Sequence, residues 1–142
     1  MEWCTISYGG DSYAMVRLDD SDASFANCTI RHSGSYGLRI TGDSSPSVTY
    51  TSVHGCNSHG IRVENTAAPV IDHTSSYDNT SDGIRVDSAS DFTISNGTFS
   101  GNSGYGIACN NSGNAPAITD NVIVDNGSYS IYIYSYYCQK IT

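Results

Sequence analysis

The chain has 142 residues and a formal net charge of -8, from 6 Lys+Arg against 14 Asp+Glu. That length is one domain and can bury a core without a metal or disulfide staple. Basic residues are few and never clustered, which argues against holding a nucleic-acid backbone or an anionic membrane surface; no apolar stretch reaches the ~18–20 residues of a membrane-spanning helix.

The opening "MEWCTISYGG" has neither the basic start nor the apolar middle of a secretory signal, and it already carries a pattern that returns later. The chain is therefore read as one mature domain, residues 1–142, and as a module or piece of something longer. The first predicted strands are "WCTI" (3–6) and "MVRL" (15–18). After them "DDSDAS" (19–24) gathers Asp19, Asp20 and Asp22 in a turn lacking the Gly and closing Glu of an EF-hand loop, so a solvated acidic turn is expected.

From there two series alternate along the chain. One runs "NCTI" (27–30), "YTSV" (50–53), "HTSS" (73–76), "NGTF" (96–99) and "NVIV" (121–124). The other runs "GLRI" (37–40), "GIRV" (60–63), "GIRV" (83–86), "GIAC" (106–109) and "SIYI" (130–133). Counted from "MVRL", the members of this second series stand 22, 23, 23, 23 and 24 residues apart. So many near-copies of one unit are not chance.

Inside the units the apolar period is two. Leu38 and Ile40, Ile61 and Val63, Ile84 and Val86 alternate with Arg39, Arg62 and Arg85, the pattern of a strand with one face inward. No segment sustains a helical period, and the connections are rich in Gly, Ser, Asn and Asp, which supply turns. A unit of 22–24 residues is too short for a propeller blade and lacks the Leu signature of a horseshoe repeat. It fits one coil of a parallel β-helix, so the fold class expected is all-β: a single solenoid of about six coils. Coils stack at ~4.8 Å, and equivalent positions then form columns.

The stretches "NCTIRHSGSYGLRI", "SSYDNTSDGIRV" and "GTFSGNSGYGIAC" resemble the coil repeat of right-handed parallel β-helix proteins, the pectin-lyase-like superfamily. The resemblance covers nearly the whole chain. It implies the fold, whereas that superfamily's coils are shared by polysaccharide lyases, glycoside hydrolases, epimerases, phage tailspikes and adhesin stalks. It also implies an extracellular or cell-surface setting.

The columns separate the candidate sites. In "VHGCNSHGIRV" (53–63), His54, Cys56 and His59 are crowded enough to consider a metal. Cys56, however, falls in the column Ser33, Cys56, Asn79, Asn102, Asn126, which in proteins of this kind commonly holds a stacked Asn ladder. His59 falls with Tyr36, Asp82, Tyr105 and Tyr129, and His54 with Arg31 and Tyr77. Turn punctuation is the expected reading; neither a metal nor a cofactor is assigned. "GNSGYG" (101–106) misses the dinucleotide fingerprint and is read as a turn.

The outward positions of the repeated strand form two further columns: Arg17, Arg39, Arg62, Arg85, Ala108, Tyr132 and Asp19, Thr41, Glu64, Asp87, Asn110, Tyr134. Two readings follow. Arg39, Arg62, Arg85, Glu64, Asp87, Tyr132 and Tyr134 form a ligand-binding face, with guanidinium forks for the carboxylates of an acidic polysaccharide and tyrosine rings for sugar faces. Alternatively the charges neutralise one another laterally in exposed pairs. Glu64 and Asp87 also suit a glycosidase pair, but turns of about five to seven residues build no cleft around them. No catalytic residue is assigned.

Cys4 and Cys28 are expected to point inward, and Cys109 to align with Val63 and Val86, as core residues. Asn27, Asn79, Asn96, Asn110 and Asn126 head N-x-Ser/Thr triplets, which a chain this rich in Asn, Ser and Thr makes freely. Two functional classes remain: a module that binds or helps process polysaccharide, and a structural or adhesive segment of a larger surface protein. The last predicted coil carries Tyr129, Tyr132, Tyr134, Tyr136 and Tyr137, and an uncovered coil edge there predicts self-association, most economically as a homodimer.

Overall fold

Aliphatic side chains at every second position leave the chain one way to bury them, by turning each strand's apolar side toward a common axis. The computed structural model describes residues 1–89, 91–110, 117–134 and 140–141. Its first coil contains β1 (Thr5–Gly9), β2 (Ala14–Asp19) and β3 (Phe25–Ala26), and its second β4 (Thr29–Ser33), β5 (Tyr36–Thr41) and β6 (Ser47–Thr49). The third has β7 (Ser52–His54), β8 (Ile61–Glu64) and β9 (Val70–Asp72), and the fourth β10 (Ser75–Tyr77), β11 (Ile84–Asp87) and β12 (Thr93–Ser95). The fifth has β13 (Thr98–Ser100), β14 (Ile107–Asn110) and β15 (Ala117–Thr119), followed by β16 (Val122–Val124), β17 (Ile131–Ile133) and β18 (Lys140–Ile141).

Every third strand pairs, in parallel, with its counterparts above and below. This makes three six-stranded sheets, of order β1-β4-β7-β10-β13-β16, β2-β5-β8-β11-β14-β17 and β3-β6-β9-β12-β15-β18. The second sheet has the register expected from the repeat: Val16↔Leu38↔Ile61↔Ile84↔Ile107↔Ile131. The first holds Ile6↔Ile30↔Val53↔Ser76↔Phe99↔Ile123.

Two features differ from the sequence reading. The third sheet lay in what the repeat marks only as connection; its inward column is Phe25, Val48, Ile71, Ile94 and Ile118. The quartet "NVIV" is also shifted by one residue, since Phe99 pairs with Ile123 and not with Val124. The cause is Asn121. Its Oδ1 accepts a hydrogen bond from Gly97 N and its Nδ2 donates to Ile94 O, so Asn121 stacks on Gly97, and Asp120 takes the corner held one coil earlier by Asn96.

The corners recur as strictly as the strands. A left-handed residue stands at or beside the end of each first-sheet strand in the column Tyr8, His32, Gly55, Asp78, Gly101, Asp125; others follow the second sheet (Asp20, Gly42, Asn65, Ser88) or precede the first (Trp3, Asn27, Tyr50, His73, Asn96, Asp120). Asn and Asp tolerate this conformation best and glycine needs no tolerance, which explains the turn-rich composition. Gly83 is required for a different reason: a Cβ there would lie 2.7 Å from Gly106 O and 2.8 Å from Asn102 Nδ2.

The core is a stack of these columns, with Leu38, Ile40, Ile61, Val63, Ile84, Val86, Ile107 and Phe99 fully buried. Cys28, Cys56 and Cys109 lie in it, and Cys4 packs against it, as core residues should. The acidic turn has its own structural role: Asp20 Oδ1 accepts from Asp43 N and Asp22 Oδ1 from Ser45 N in the next coil.

Candidate functional site

Because Leu38/Ile40, Ile61/Val63 and Ile84/Val86 take the interior, Arg39, Arg62 and Arg85 are aligned on the outer face of β5, β8 and β11. Glu64 and Asp87 are cross-strand neighbours beside them. Carboxylates and guanidiniums pair diagonally. Arg39 Nε donates to Glu64 Oε2 at 2.6 Å in the next coil, and Arg62 Nη2 reaches Asp87 Oδ2 at 2.6 Å in the one after. Arg62 also contacts Glu64 at 3.1 Å on its own strand, and Arg17 donates to Asp19 at 2.5 Å. The arginine column is thus half-buried rather than fully exposed, with 19–25% of the Arg39, Arg62 and Arg85 side-chain surface in contact with solvent.

A residue outside both columns completes the network. Asp82, with 4% of its side chain exposed, lies 3.3 Å from Arg85 Nη1 and 3.3 Å from His59 Nδ1, and its Oδ1 accepts from Tyr105 N at 2.8 Å. His59 Nε2 lies 3.3 Å from Arg62 Nη1, the His59 ring stacks on Tyr36 at 5.5 Å, and the Arg62 guanidinium sits over the same Tyr36 ring at 5.7 Å. Burial pushes His59 down to about 4; Asp82 opposes this, while Arg62 and Arg85 add to it. The imidazole is neutral at neutral pH and packs as an aromatic spacer. Asp82 stood in the sequence column of His59 and Tyr105, but that column is a turn, so nothing tied it to the arginines.

The two carboxyls considered as a glycosidase pair are joined by Arg62, which occupies the position a scissile bond would need. Beyond Arg85 the column changes character. Ala108 is buried, and Tyr132 stacks on Tyr105 at 4.8 Å while Tyr105 stacks on Tyr129 at 6.0 Å. Rings stacked along the solenoid cover one another's faces. Tyr134 follows β17 and is largely exposed.

The Asn column is a ladder in the solenoid interior. Asn102 Oδ1 accepts from both N and Nδ2 of Asn79, Asn126 Oδ1 does the same for Asn102, and Asn79 Oδ1 accepts from Cys56 N. Cys56 is buried at the foot of this ladder, whereas His54 stacks on Tyr77 outside. Among the described residues no three His, Cys, Asp or Glu side chains cluster in a geometry that would hold a metal. Of the glycosylation triplets, Asn79 is buried in the ladder, while Asn27 and Asn96 occupy exposed corners.

Three parallel sheets stacked coil on coil meet a family model described as a right-handed β-helix region, which matches residues 1–141. The chain belongs to the right-handed β-helix family. Among curated proteins and solved structures nothing matches it significantly. The β-helix assignment therefore carries the fold and not an activity.

Proposed function

We propose that this β-helix is a non-catalytic, structural or adhesive module of a larger extracellular or cell-surface protein. The observation that carries this reading is the charge pairing along the second-sheet face: Arg62 is held by Glu64 and Asp87, Arg39 by Glu64, and Arg85 by Asp82 and, at 3.4 Å without a hydrogen bond, by Asp87. The four arginines of the face, Arg17, Arg39, Arg62 and Arg85, meet the four carboxylates of Asp19, Glu64, Asp82 and Asp87, which leaves it neutral. Such a face favours stiffness and solubility over capture of an anion. Among the described residues β16, β17 and β18 each have a single strand neighbour, and an edge of that kind at the last coil supports association with another copy of the chain.

A second reading keeps the face as a polysaccharide-binding surface. It is favoured by the solvent-facing fifth to quarter of Arg39, Arg62 and Arg85 and by exposed Tyr134 beside half-buried Tyr132. Retardation in gels containing acidic or neutral polysaccharide tests both readings. The structural reading expects no retardation and no glycan turnover. Retardation that Arg62→Ala abolishes in a folded variant would replace it with the second.

A further inference from the structure

The first coil is an edge of the solenoid. Among the described residues its strands β1, β2 and β3 each have a strand neighbour on one side only. Its first corner is also irregular, taking 8 residues from Tyr8 to Val16 where the next coil takes 6 from His32 to Leu38. In this coil Cys4 stands directly over Cys28 of the second. Thr5 pairs with Thr29, Thr29 N donates to Cys4 O at 2.7 Å and Trp3 N donates to Ala26 O at 3.1 Å, so the register is fixed on both sides of the two cysteines. Trp3 and Asn27, which precede them, are both left-handed with φ 54°, and both thiols therefore enter from the same corner.

In-register neighbours on parallel strands lie about 4.8 Å apart, inside the roughly 4.4–6.8 Å between Cα atoms that a disulfide spans. The two sulfurs lean the same way. Cys4 Sγ donates to Glu2 O at 3.6 Å and Cys28 Sγ to Ala26 O at 3.2 Å, and Glu2 and Ala26 are themselves bridged. Turning one side chain about its Cα–Cβ bond points its sulfur at the other, and an edge coil held from one side can close the remaining gap. Cys56 and Cys109 have no such neighbour: Cys56 stands between Ser33 and Asn79, and Cys109 pairs with Val86 and Ile133. Cys56 is also fully buried, which pushes its thiol up and away from the reactive thiolate form.

We propose that Cys4 and Cys28 form a disulfide under oxidising conditions, which staples the first coil of the solenoid to the second. Cys4 is part-exposed where Cys28 is buried, so it meets the oxidant first. With glutathione disulfide as oxidant, the Cys4 thiolate attacks one glutathione sulfur, forms a mixed disulfide and expels a glutathione thiolate. The Cys28 thiolate then attacks Cys4 Sγ and expels the second. The protein loses two protons and two electrons, and the oxidant is reduced to two glutathione thiols. The link closes a loop one whole coil long, and it does not depend on the second-sheet face binding anything.

The test incubates the native chain with glutathione disulfide, blocks the remaining thiols with iodoacetamide and maps the peptides by mass spectrometry, with amide hydrogen exchange followed on the same samples. The expected result is a peptide pair linked through Cys4 and Cys28, with Cys56 recovered as the blocked thiol. The amides of Trp3 and Thr29, whose hydrogen bonds join the first coil to the second, should exchange at least about tenfold more slowly than in the reduced chain and return to that rate with dithiothreitol. Cys4→Ser should lose the link and the slowing together. Recovery of Cys4 and Cys28 as blocked thiols or as separate glutathione adducts overturns the proposal, as does a link that forms only in urea. A link that leaves the exchange of Trp3 and Thr29 unchanged, or a slowing that survives Cys4→Ser, overturns the staple.

Discussion

Arg62 Nη2 lies 2.6 Å from Asp87 Oδ2 in the following coil, and the same nitrogen lies 3.1 Å from Glu64 Oε1 on its own strand. One guanidinium thus separates two carboxylates that occupy paired positions on adjacent strands. Arg62→Ala leaves them facing each other, and a loss of about 1–3 kcal/mol is expected, larger at low salt. Arg17→Ala removes a pair that is about half exposed, and should cost less than about 0.5 kcal/mol. Urea denaturation at two salt concentrations compares them, and equal losses would count against a cooperative network.

The Asn ladder sets a second expectation. Asn102 accepts two hydrogen bonds from Asn79, and its Nδ2 donates to Asn126 Oδ1 and to Ser76 O. Asn102→Ala strands buried donors and a carbonyl together, at an expected cost of about 2–4 kcal/mol. A fall in stability under about 0.5 kcal/mol would show that the ladder is replaceable by water.

His59 makes stability depend on pH. Its folded pKa of about 4 lies below its ordinary value of 6.5, so between these two the unfolded chain holds a proton that the folded chain does not. The contribution is complete above 6.5, diminishes as pH falls toward 4, and changes no further below. Its full size is on the order of 3 kcal/mol at most. Denaturation at pH 7 and pH 4.5 should show this loss in the native sequence and a smaller one in His59→Gln. The same loss in both would place the pH dependence elsewhere.

Sedimentation at micromolar concentration tests the terminal coil. A dimer is expected, converted to monomer by replacing Tyr132 and Tyr134 with Lys. A monomer whose sedimentation the double variant does not change would show that this edge is sealed without a second copy.

Much of this architecture was legible because coils repeat without drift: the interval between "GLRI" and "GIRV" is the distance from Leu38 to its partner Ile61. The third sheet was not, because strands such as Ser47–Thr49 and Thr93–Ser95 turn one residue inward and offer no alternation to count. Asn121 misled the alignment because it resembles Asn96 in type while stacking on Gly97. In the candidate face the columns were readable, but the diagonal pairing was not. It is decided by rotamers that reach one strand over and two residues along, about 7–8 Å, as well as nearly 7 Å along one strand. The lengthened first corner, Tyr8 to Val16, left its trace only in the other series, where "WCTI" (3–6) and "NCTI" (27–30) stand 24 residues apart.

The sheets have a mechanical consequence. Their hydrogen bonds join each coil to the next along the solenoid axis, as in the link from Ile61 N to Gly83 O. A force applied along that axis would load these bonds a coil at a time, in a peeling geometry, instead of shearing a whole sheet at once. Each coil that gives way would release a unit of 23 residues, as between Ile61 and Ile84, or roughly 80 Å of extended chain. Under tension the molecule would lengthen in even steps while the coils still stacked kept their columns intact.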